Sequence, residues 1–374
     1  MSAPNLVLVT GSLQGGGAER QLADMANYWA AKGVSVTFAT WTGAEVADFY
    51  RLDGGIRRAH LDVPSASGGL VQKIVANVRR VLKLRRLLSL LEPDAVLSFL
   101  PESNVLTILA AARLPTRVCI AERAQPASDT TVPPMWRMLR RILYGRSDAI
   151  VAQTNDAAEW IRARWRKPAV VIPNSLRAMP APVQTREPLV VAIGRLTRQK
   201  GFDLLLRAMA RAVPAFPEWS TVIIGDGVER ARLQQLSEEL GLRERVRLLG
   251  EISDVETWLA KAGMVVQPSR FEGFPNVVLE AMAMGAAVVS ADCRAGPADL
   301  IEDGVNGRLV PVEDVETLAS VMTELMSQPQ VRADLGREAM KVRQRFQQDL
   351  IMPRWEEVLL PKRGPGGLAL DPVA

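Results

Sequence analysis

Pro268-Ser269-Arg270-Phe271-Glu272-Gly273-Phe274-Pro275-Asn276-Val277-Val278-Leu279-Glu280-Ala281-Met282-Ala283-Met284-Gly285 reads as a loop that opens into a helix. The apolar run Met264-Val265-Val266 enters it as a short strand. Gly273 and Pro275 break that strand, and Pro275 suits a first helical turn, where no backbone N–H is needed. Val277 to Met284 continues as helix, and Gly285 stops it. A strand, a loop and a helix in this order point free N–H groups and the positive end of the helix dipole at the loop, a place for a phosphate. Glu272 lies on that loop, and Glu280 stands about one or two turns into the helix. Carboxylates beside a phosphate site accept hydrogen bonds from hydroxyls, such as those of a ribose and a sugar. Two isolated glutamates would be read more simply as solvated acids. The aromatic, glycine and proline positions around these two argue otherwise.

Glu272 and Glu280, with seven residues between them inside S-R-F-E-G-F-P-N-V-V-L-E-A-M-A-M-G, closely resemble the signature of retaining GT-B glycosyltransferases of family four. The resemblance covers nearly the whole chain and is strongest from 189 to 310. It implies that Glu280 binds the ribose of a nucleotide-sugar and that Glu272 lies near the donor sugar, with Gly273, Phe274 and Asn276 in the donor-binding set.

A chain of 374 residues is long enough for two domains, each with its own core. Its 48% hydrophobic and 23% charged residues are those of a globular protein. No apolar run reaches the roughly 18 residues of a membrane span. Asn5-Leu6-Val7-Leu8-Val9-Thr10 reads as a first strand rather than a signal peptide, so a cytoplasmic location is expected. Cys119 and Cys293 lie in or beside apolar strand-like runs and are expected as buried free thiols. With one histidine, two cysteines and no Asp-x-Asp pair, the chain lacks both a zinc set and the usual carboxylate clamp for a divalent ion on a diphosphate. No cofactor and no metal are expected. Residues 1–180 carry 23 Lys/Arg and 14 Asp/Glu, and the remainder carries 23 and 27, so a basic first half precedes an acidic second half. The basic half suggests an anionic partner: a membrane surface, a pyrophosphate lipid or a nucleic acid.

In the first half, Gly11-Ser12-Leu13-Gln14-Gly15-Gly16-Gly17-Ala18-Glu19-Arg20 joins the first strand to a helix through Trp29. A glycine-rich strand-to-helix turn can approach a phosphate, although these glycines do not fit G-x-G-x-x-G. The resemblance places this turn at the cleft between domains. There the backbone of Gly16 and Gly17 meets the donor diphosphate, and Glu19 is on the acceptor side. Gln72 to Leu91 shows helical spacing of Ile74, Val78, Val81, Leu82, Leu84, Leu88 and Leu91. Lys73, Arg79, Arg80, Lys83, Arg85 and Arg86 add six cations with no acid. Such a helix suits a membrane interface or a polyanion, or else packs its stripe on a sheet. In similar transferases of lipid-linked oligosaccharides, a basic helix near this point contacts membrane and lipid pyrophosphate. Met135–Tyr144, with Arg137, Arg140 and Arg141 beside Trp136 and Leu139, suits the same membrane face and core packing equally. After the strand Arg117–Ala121, where many relatives carry a histidine near the donor sugar, this chain has Glu122-Arg123-Ala124. That fits the Ser-Glu-Arg-Asn variant of bacterial lipid-linked glycan and exopolysaccharide transferases. The histidine's role therefore does not carry over, and Arg123 joins the acceptor-side residues. His60, near a strand start, is read as structural.

In the second half, Gly194-Arg195-Leu196-Thr197-Arg198-Gln199-Lys200-Gly201 follows the strand Leu189–Ile193. Arg195 and Lys200 flank a strand-to-helix turn, a geometry suited to a diphosphate. The resemblance makes them stabilisers of the leaving nucleotide diphosphate and makes Ile252 a contact of the base. With Glu272 they form the expected catalytic set.

Strands alternate with helices in both halves, so each half should be an open, mainly parallel α/β sheet with its site at the strands' C-terminal ends. The expected domains are 1–180 on the acceptor side and 186–349 for the nucleotide-sugar. A proline-rich linker at 178–183 joins them, a helix at about 350–362 packs back on the first domain, and 363–374 forms a loose tail. With the resemblance, the expectation is a GT-B retaining, metal-independent transferase. It would move a hexose or N-acetylhexosamine from a UDP-sugar (GalNAc, GlcNAc or Gal) to a glycan on a polyprenyl diphosphate, at the inner membrane face and without nucleic acid. A soluble acceptor, or a catalytically silent nucleotide-sugar-binding module, is the alternative.

Overall fold

The computed structural model describes residues 3–63, 69–123, 132–181, 185–252, 254–294 and 296–361. Ala124, part of the 178–183 linker and the 363–374 tail lie outside the described residues. The chain divides into two units, Met1–Ser175 with Asp349–Ala374, and Leu176–Gln348. The segment from Leu176 to Ala181 belongs to the second unit. Leu176 N–H donates to Phe346 O at 2.6 Å, and Arg343 Nη2 donates to Pro180 O at 2.5 Å.

In the first unit the described elements run β1 (Asn5–Thr10), α1 (Gly17–Ala31), β2 (Ser35–Thr40), β3 (Arg57–His60), α2 (Leu70–Leu91), β4 (Ala95–Phe99), α3 (Pro101–Ala111), β5 (Arg117–Ala121), α4 (Pro134–Leu143), β6 (Ala149–Ala152), α5 (Asn155–Trp165) and β7 (Ala169–Val171). The seven strands pair in the order β3-β2-β1-β4-β5-β6-β7, all parallel. The order reverses between β1 and β4, the place where doubly wound sheets bind ligands. The strands read as unbroken apolar runs because both faces are covered. Val7 and Val9 of β1 face one core with α2 to α5, while Leu6 and Leu8 face another with α1.

In the second unit β8 (Glu187–Ile193), α6 (Phe202–Ala212), β9 (Ser220–Ile224), α7 (Arg230–Glu239), β10 (Val246–Gly250), α8 (Val255–Lys261), β11 (Ala262–Gln267), α9 (Asn276–Ala283), β12 (Ala287–Ala291), α10 (Pro297–Leu300), β13 (Arg308–Val310), α11 (Val315–Ser327), α12 (Pro329–Ala339) and α13 (Val342–Arg345) follow. Its six strands take the order β10-β9-β8-β11-β12-β13, again parallel. Here the reversal falls between β8 and β11. Those are the two strands that lead into the Gly194–Gly201 turn and the Pro268–Gly285 stretch.

Two expectations need correction. Pro275 does not occupy the first helical turn; it caps α9, which begins at Asn276, whose N–H donates to Phe274 O at 3.0 Å. His60 closes the edge strand β3 rather than lying near a strand's start. That strand, Arg-Arg-Ala-His, lacks an apolar signature because it lies at the sheet's edge. Arg58 supplies its anchor, pairing with Asp48 at 2.7 Å and stacking over Phe38.

The last helix, α14 (Gln348–Leu359), packs on the first unit's sheet. Ile351, Met352, Trp355, Val358 and Leu359 are buried there, and the Trp355 ring lies 6.0 Å from that of Phe99. Arg117 Nε donates to Val358 O at 2.8 Å, and the Arg354 guanidinium donates to Val171 O at 2.9 Å. Replacing a fully buried tryptophan leaves a cavity that its neighbours fill only in part. Trp355→Ala should therefore cost about 3–5 kcal/mol, read as a lowered denaturant midpoint. An unchanged midpoint would mean that α14 is not part of this core.

Candidate functional site

At the reversal point of the second sheet, two loops are sewn together. Gly201 has φ +67, and a Cβ there would lie 2.0 Å from the Pro268 carbonyl oxygen, so only glycine permits this approach. Arg270 N–H donates to Gln199 O at 2.8 Å, and Gln199 Nε2 donates to Phe271 O at 2.9 Å. Arg270 also donates to Arg198 O at 2.8 Å and grips the Asp203 carboxylate through two bonds of 2.9 Å. Burial opposes ionisation of Asp203, but the hydrogen bonds and charge of Arg270 outweigh it and hold the carboxyl below its ordinary range.

Within this frame two of the three expected catalytic residues, Lys200 and Glu272, meet. Lys200 Nζ donates to Glu272 Oε1 at 2.6 Å. The same oxygen accepts from Ser269 Oγ at 2.6 Å and from Gln267 Nε2 at 2.8 Å. Glu272 is buried, so these three donors replace its water shell. Arg195 stands at the other end of the turn, exposed, and forms no ion pair among the described residues. A held ammonium and an exposed guanidinium on one turn can receive a dianionic group; the buried carboxylate orients the ammonium.

Glu280 is buried in α9, and Arg177 Nε lies 3.7 Å from its Oε1 while Arg177 Nη1 reaches Glu256 at 2.5 Å. Gly273 and Asn276 flank the start of α9 and are half-buried. Phe274 is a core residue, its ring 6.2 Å from that of Phe346, so its side chain is committed to packing. Ile252 follows β10 and packs partly on the same core. Gln267, Ser269, Gln199 and Arg177 were absent from the expected set. Gln267 is a polar residue at the end of an apolar strand, which could have marked it; nothing local marks Arg177.

The remaining expected residues lie in the first unit. Gly16 and Gly17 lie at the β1–α1 junction, where Gly16 N–H donates to the Tyr50 hydroxyl at 3.1 Å and Glu19 stands in the first turn of α1. The six cations of α2 do not act as one solvated set. Arg80 is buried, donating to Val63 O at 2.7 Å and pairing with Glu102. Lys83 binds Leu61 O at 2.8 Å and Asp62 O at 3.1 Å, and Arg85 binds Ala112 O at 2.7 Å. These three fasten the helix to its own unit. Lys73, Arg79 and Arg86 are exposed. Leu84 and Leu88 anchor the helix in the core, whereas Val71, Ile74, Val75, Val78 and Leu82 face solvent. Arg123 is buried at the end of β5. Both cysteines are buried and free, and burial pushes each thiol up to about 12. Among the described residues no three His, Cys, Asp or Glu side chains group to hold a metal ion, and no helix is long and apolar enough to cross a membrane.

Residues 179–342 match the family "Glycosyl transferases group 1", and residues 16–175 match "Glycosyl transferase 4-like domain". A Campylobacter jejuni protein is 28% identical over 94% of this chain and 97% of its own length. It is named "GalNAc-alpha-(1->4)-GalNAc-alpha-(1->3)-diNAcBac-PP-undecaprenol alpha-1,4-N-acetyl-D-galactosaminyltransferase". An "Exopolysaccharide phosphotransferase" of Streptomyces coelicolor is 36% identical over 56% of this chain; the match spans only 23% of that longer relative. Among solved structures, Anabaena HepE in complex with UDP superposes with a TM-score of 0.78 at 21% identity, covering 95% of this chain and 99% of HepE.

The close approach at Gly201 gives a direct test. Gly201→Ala meets both a disfavoured φ and the Pro268 carbonyl, whereas Gly241→Ala, at φ +68 with nothing within 4 Å, meets only the disfavoured φ. Both should lower the melting temperature, Gly201→Ala by clearly more, with a loss above about 1 kcal/mol. Equal losses would mean that the two loops are not locked together.

Proposed function

We infer from these matches that the chain belongs to the glycosyl transferases, group 1 in its second half and 4-like in its first. On that premise we propose that it is a retaining enzyme that moves a hexose or N-acetylhexosamine from a UDP-sugar to a glycan on a polyprenyl diphosphate. Its fold is GT-B, two parallel-sheet α/β units, and its field is glycan biosynthesis. The observation that carries the finer reading is the Lys200–Glu272 pair at the reversal point of the second sheet, with Arg195 exposed on the same turn and Glu280 on α9. The UDP in HepE and the lipid-linked acceptor in the Campylobacter relative's name favour the same donor and acceptor classes.

In this reading the second unit binds the UDP-sugar. Glu280 accepts from ribose hydroxyls, and Arg195 and Lys200 meet the diphosphate. The bond from the anomeric carbon to the β-phosphate oxygen breaks as charge gathers on the leaving UDP, and the two cations stabilise it. An acceptor hydroxyl forms the new bond on the same face and passes its proton to a leaving phosphate oxygen. The chain's own cations carry this role, so the reaction is proposed to need no metal and no cofactor. Gly273, Asn276, Ile252 and the backbone of Phe274 complete the donor's surroundings in the second unit, and the first unit with Glu19 receives the acceptor.

UDP should raise the melting temperature selectively over GDP, ADP and TDP, and one UDP-sugar should raise it further. Lys200→Ala should lower turnover at least 100-fold with the fold intact. Equal shifts with all four nucleotides, or normal turnover of Lys200→Ala, would sink the assignment.

The first unit offers a surface for the cytoplasmic membrane face. Val71, Ile74, Val75, Val78 and Leu82 of α2 and Met138 and Ile142 of α4 are exposed, interleaved with exposed Lys73, Arg79, Arg86, Arg137 and Arg141. An apolar surface rimmed by cations suits an anionic lipid interface. The protein should co-sediment with vesicles containing phosphatidylglycerol, and K73E/R79E/R86E should release it without loss of melting temperature. Arg80, Lys83 and Arg85 are left intact because they hold the helix in place. Undiminished sedimentation of the triple variant would count against this surface.

A further inference from the structure

The C-terminal edge of the first sheet holds a cation whose binding partner the reading so far leaves unnamed. Arg123 follows β5 and is 9% exposed. Its guanidinium lies over the Phe99 ring at 4.2 Å from the centroid. One nitrogen, Nη2, donates to Asn174 Oδ1, which also accepts from Gln153 Nε2 at 2.8 Å. Turning the Gln153 amide brings its oxygen within 3.2 Å of the same Nη2. In either orientation Nε and Nη1 of Arg123 have no hydrogen-bond partner among the described residues. No carboxylate among the described residues pairs with it; the adjacent Glu122 lies 3.6 Å from Arg140 instead.

Buried arginines elsewhere among the described residues have an anion beside them, and a half-buried one has a set of carbonyls. Buried Arg80 meets Glu102, buried Arg140 lies 3.6 Å from Glu122, and the half-buried Arg186 is wrapped by the carbonyls of Leu259, Ala260, Ala262 and Met284. A guanidinium buried without a counter-charge is destabilising, and neither a ring face nor an amide oxygen replaces an anion. Burial pushes the Arg123 guanidinium down to about 9, the direction of a charge that lacks compensation. The group also stands where ligands bind in open parallel sheets, beyond the strands' C-terminal ends, with Gln153 after β6 and Asn174 after β7.

We propose that Arg123, supported by Asn174 and Gln153, forms a binding site for an oxyanion carried by the acceptor: the carboxylate of an acidic sugar or a phosphoryl group. The inference rests on the reading that the first unit receives the acceptor. The bound oxyanion supplies the counter-charge that the fold omits, and the guanidinium selects acidic acceptors over neutral ones.

The test uses the full chain with sodium glucuronate and inorganic phosphate as probes, against chloride at matched ionic strength. Titration calorimetry and thermal shift are run on the native protein, R123Q and K200A. One probe should bind the native protein saturably, lose at least tenfold in affinity in R123Q, and keep its affinity in K200A. A response to glucuronate alone identifies an acidic sugar, and a response to phosphate alone identifies a phosphoryl group. Equal responses of native protein and R123Q to both probes would overturn the site. Without probe, R123M should melt no lower than the native protein, because it removes an unmatched buried charge. A lower melting temperature together with native probe affinity would make Arg123 a structural residue. UDP shifts recorded on the same samples report the donor reading separately. R123Q should keep the UDP shift, and absence of that shift in the native protein would strike the donor assignment while leaving the oxyanion result standing.

Discussion

The Pro268 carbonyl occupies the place where a side chain at residue 201 would begin. Much of the second unit's chemistry depends on that closeness. It brings the turn after β8 and the loop after β11 together at the point where the order of strands reverses. Only there can Lys200, carried by one loop, reach Glu272, carried by the other. The parallel sheet sets the distance between the two strands, and glycine at 201 removes the Cβ that would hold the loops apart. Arg270 then locks the approach from outside through Asp203 and the Arg198 carbonyl.

The two units solve the burial of charge in different ways. In the second, Glu272 is surrounded by three donors, so its desolvation is offset within the fold. In the first, the basic helix α2 divides its cations between two tasks. Arg80, Lys83 and Arg85 reach inward to carbonyls and a carboxylate. Lys73, Arg79 and Arg86 remain at the surface beside exposed valines, isoleucine and leucine. Helical periodicity places residues around a circle but does not say which arc meets the sheet. The arc that does so holds Leu84 and Leu88, so much of the apolar stripe points the other way. Arg123 belongs to neither pattern: it is buried like a structural arginine, yet among the described residues only its Nη2 finds an oxygen.

Much of the architecture was legible because a parallel sheet covered on both faces writes its strands as continuous apolar runs. Val7 to Val9, Val265 and Val266 needed no further context. The edge strand Arg57–His60 was obscured because its stability comes from Arg58 stacking on Phe38 and pairing with Asp48 rather than from apolar residues of its own. Pro275 could be placed near a helix start, but whether it lay inside or ahead of the first turn depended on the tight turn from Phe274 to Asn276. Phe274 looked like a ligand neighbour by its place in the motif, and its ring proved to belong to the core.

Local pattern by itself determined the alternation of strand and helix, the two sheets it implies, and the loops that carry Arg195, Lys200, Glu272 and Glu280. These follow from side-chain periodicity and from the backbone demands of glycine and proline, which act over a few residues. Only the tertiary structure decided which groups meet: Gln267 and Ser269 on Glu272, Arg177 beside Glu280, and an unmatched Arg123 beneath Asn174. Arg123 and Asn174 are 51 residues apart in the chain. Their contact arises from strand order, and strand order is fixed by how whole helices cover both faces of a sheet.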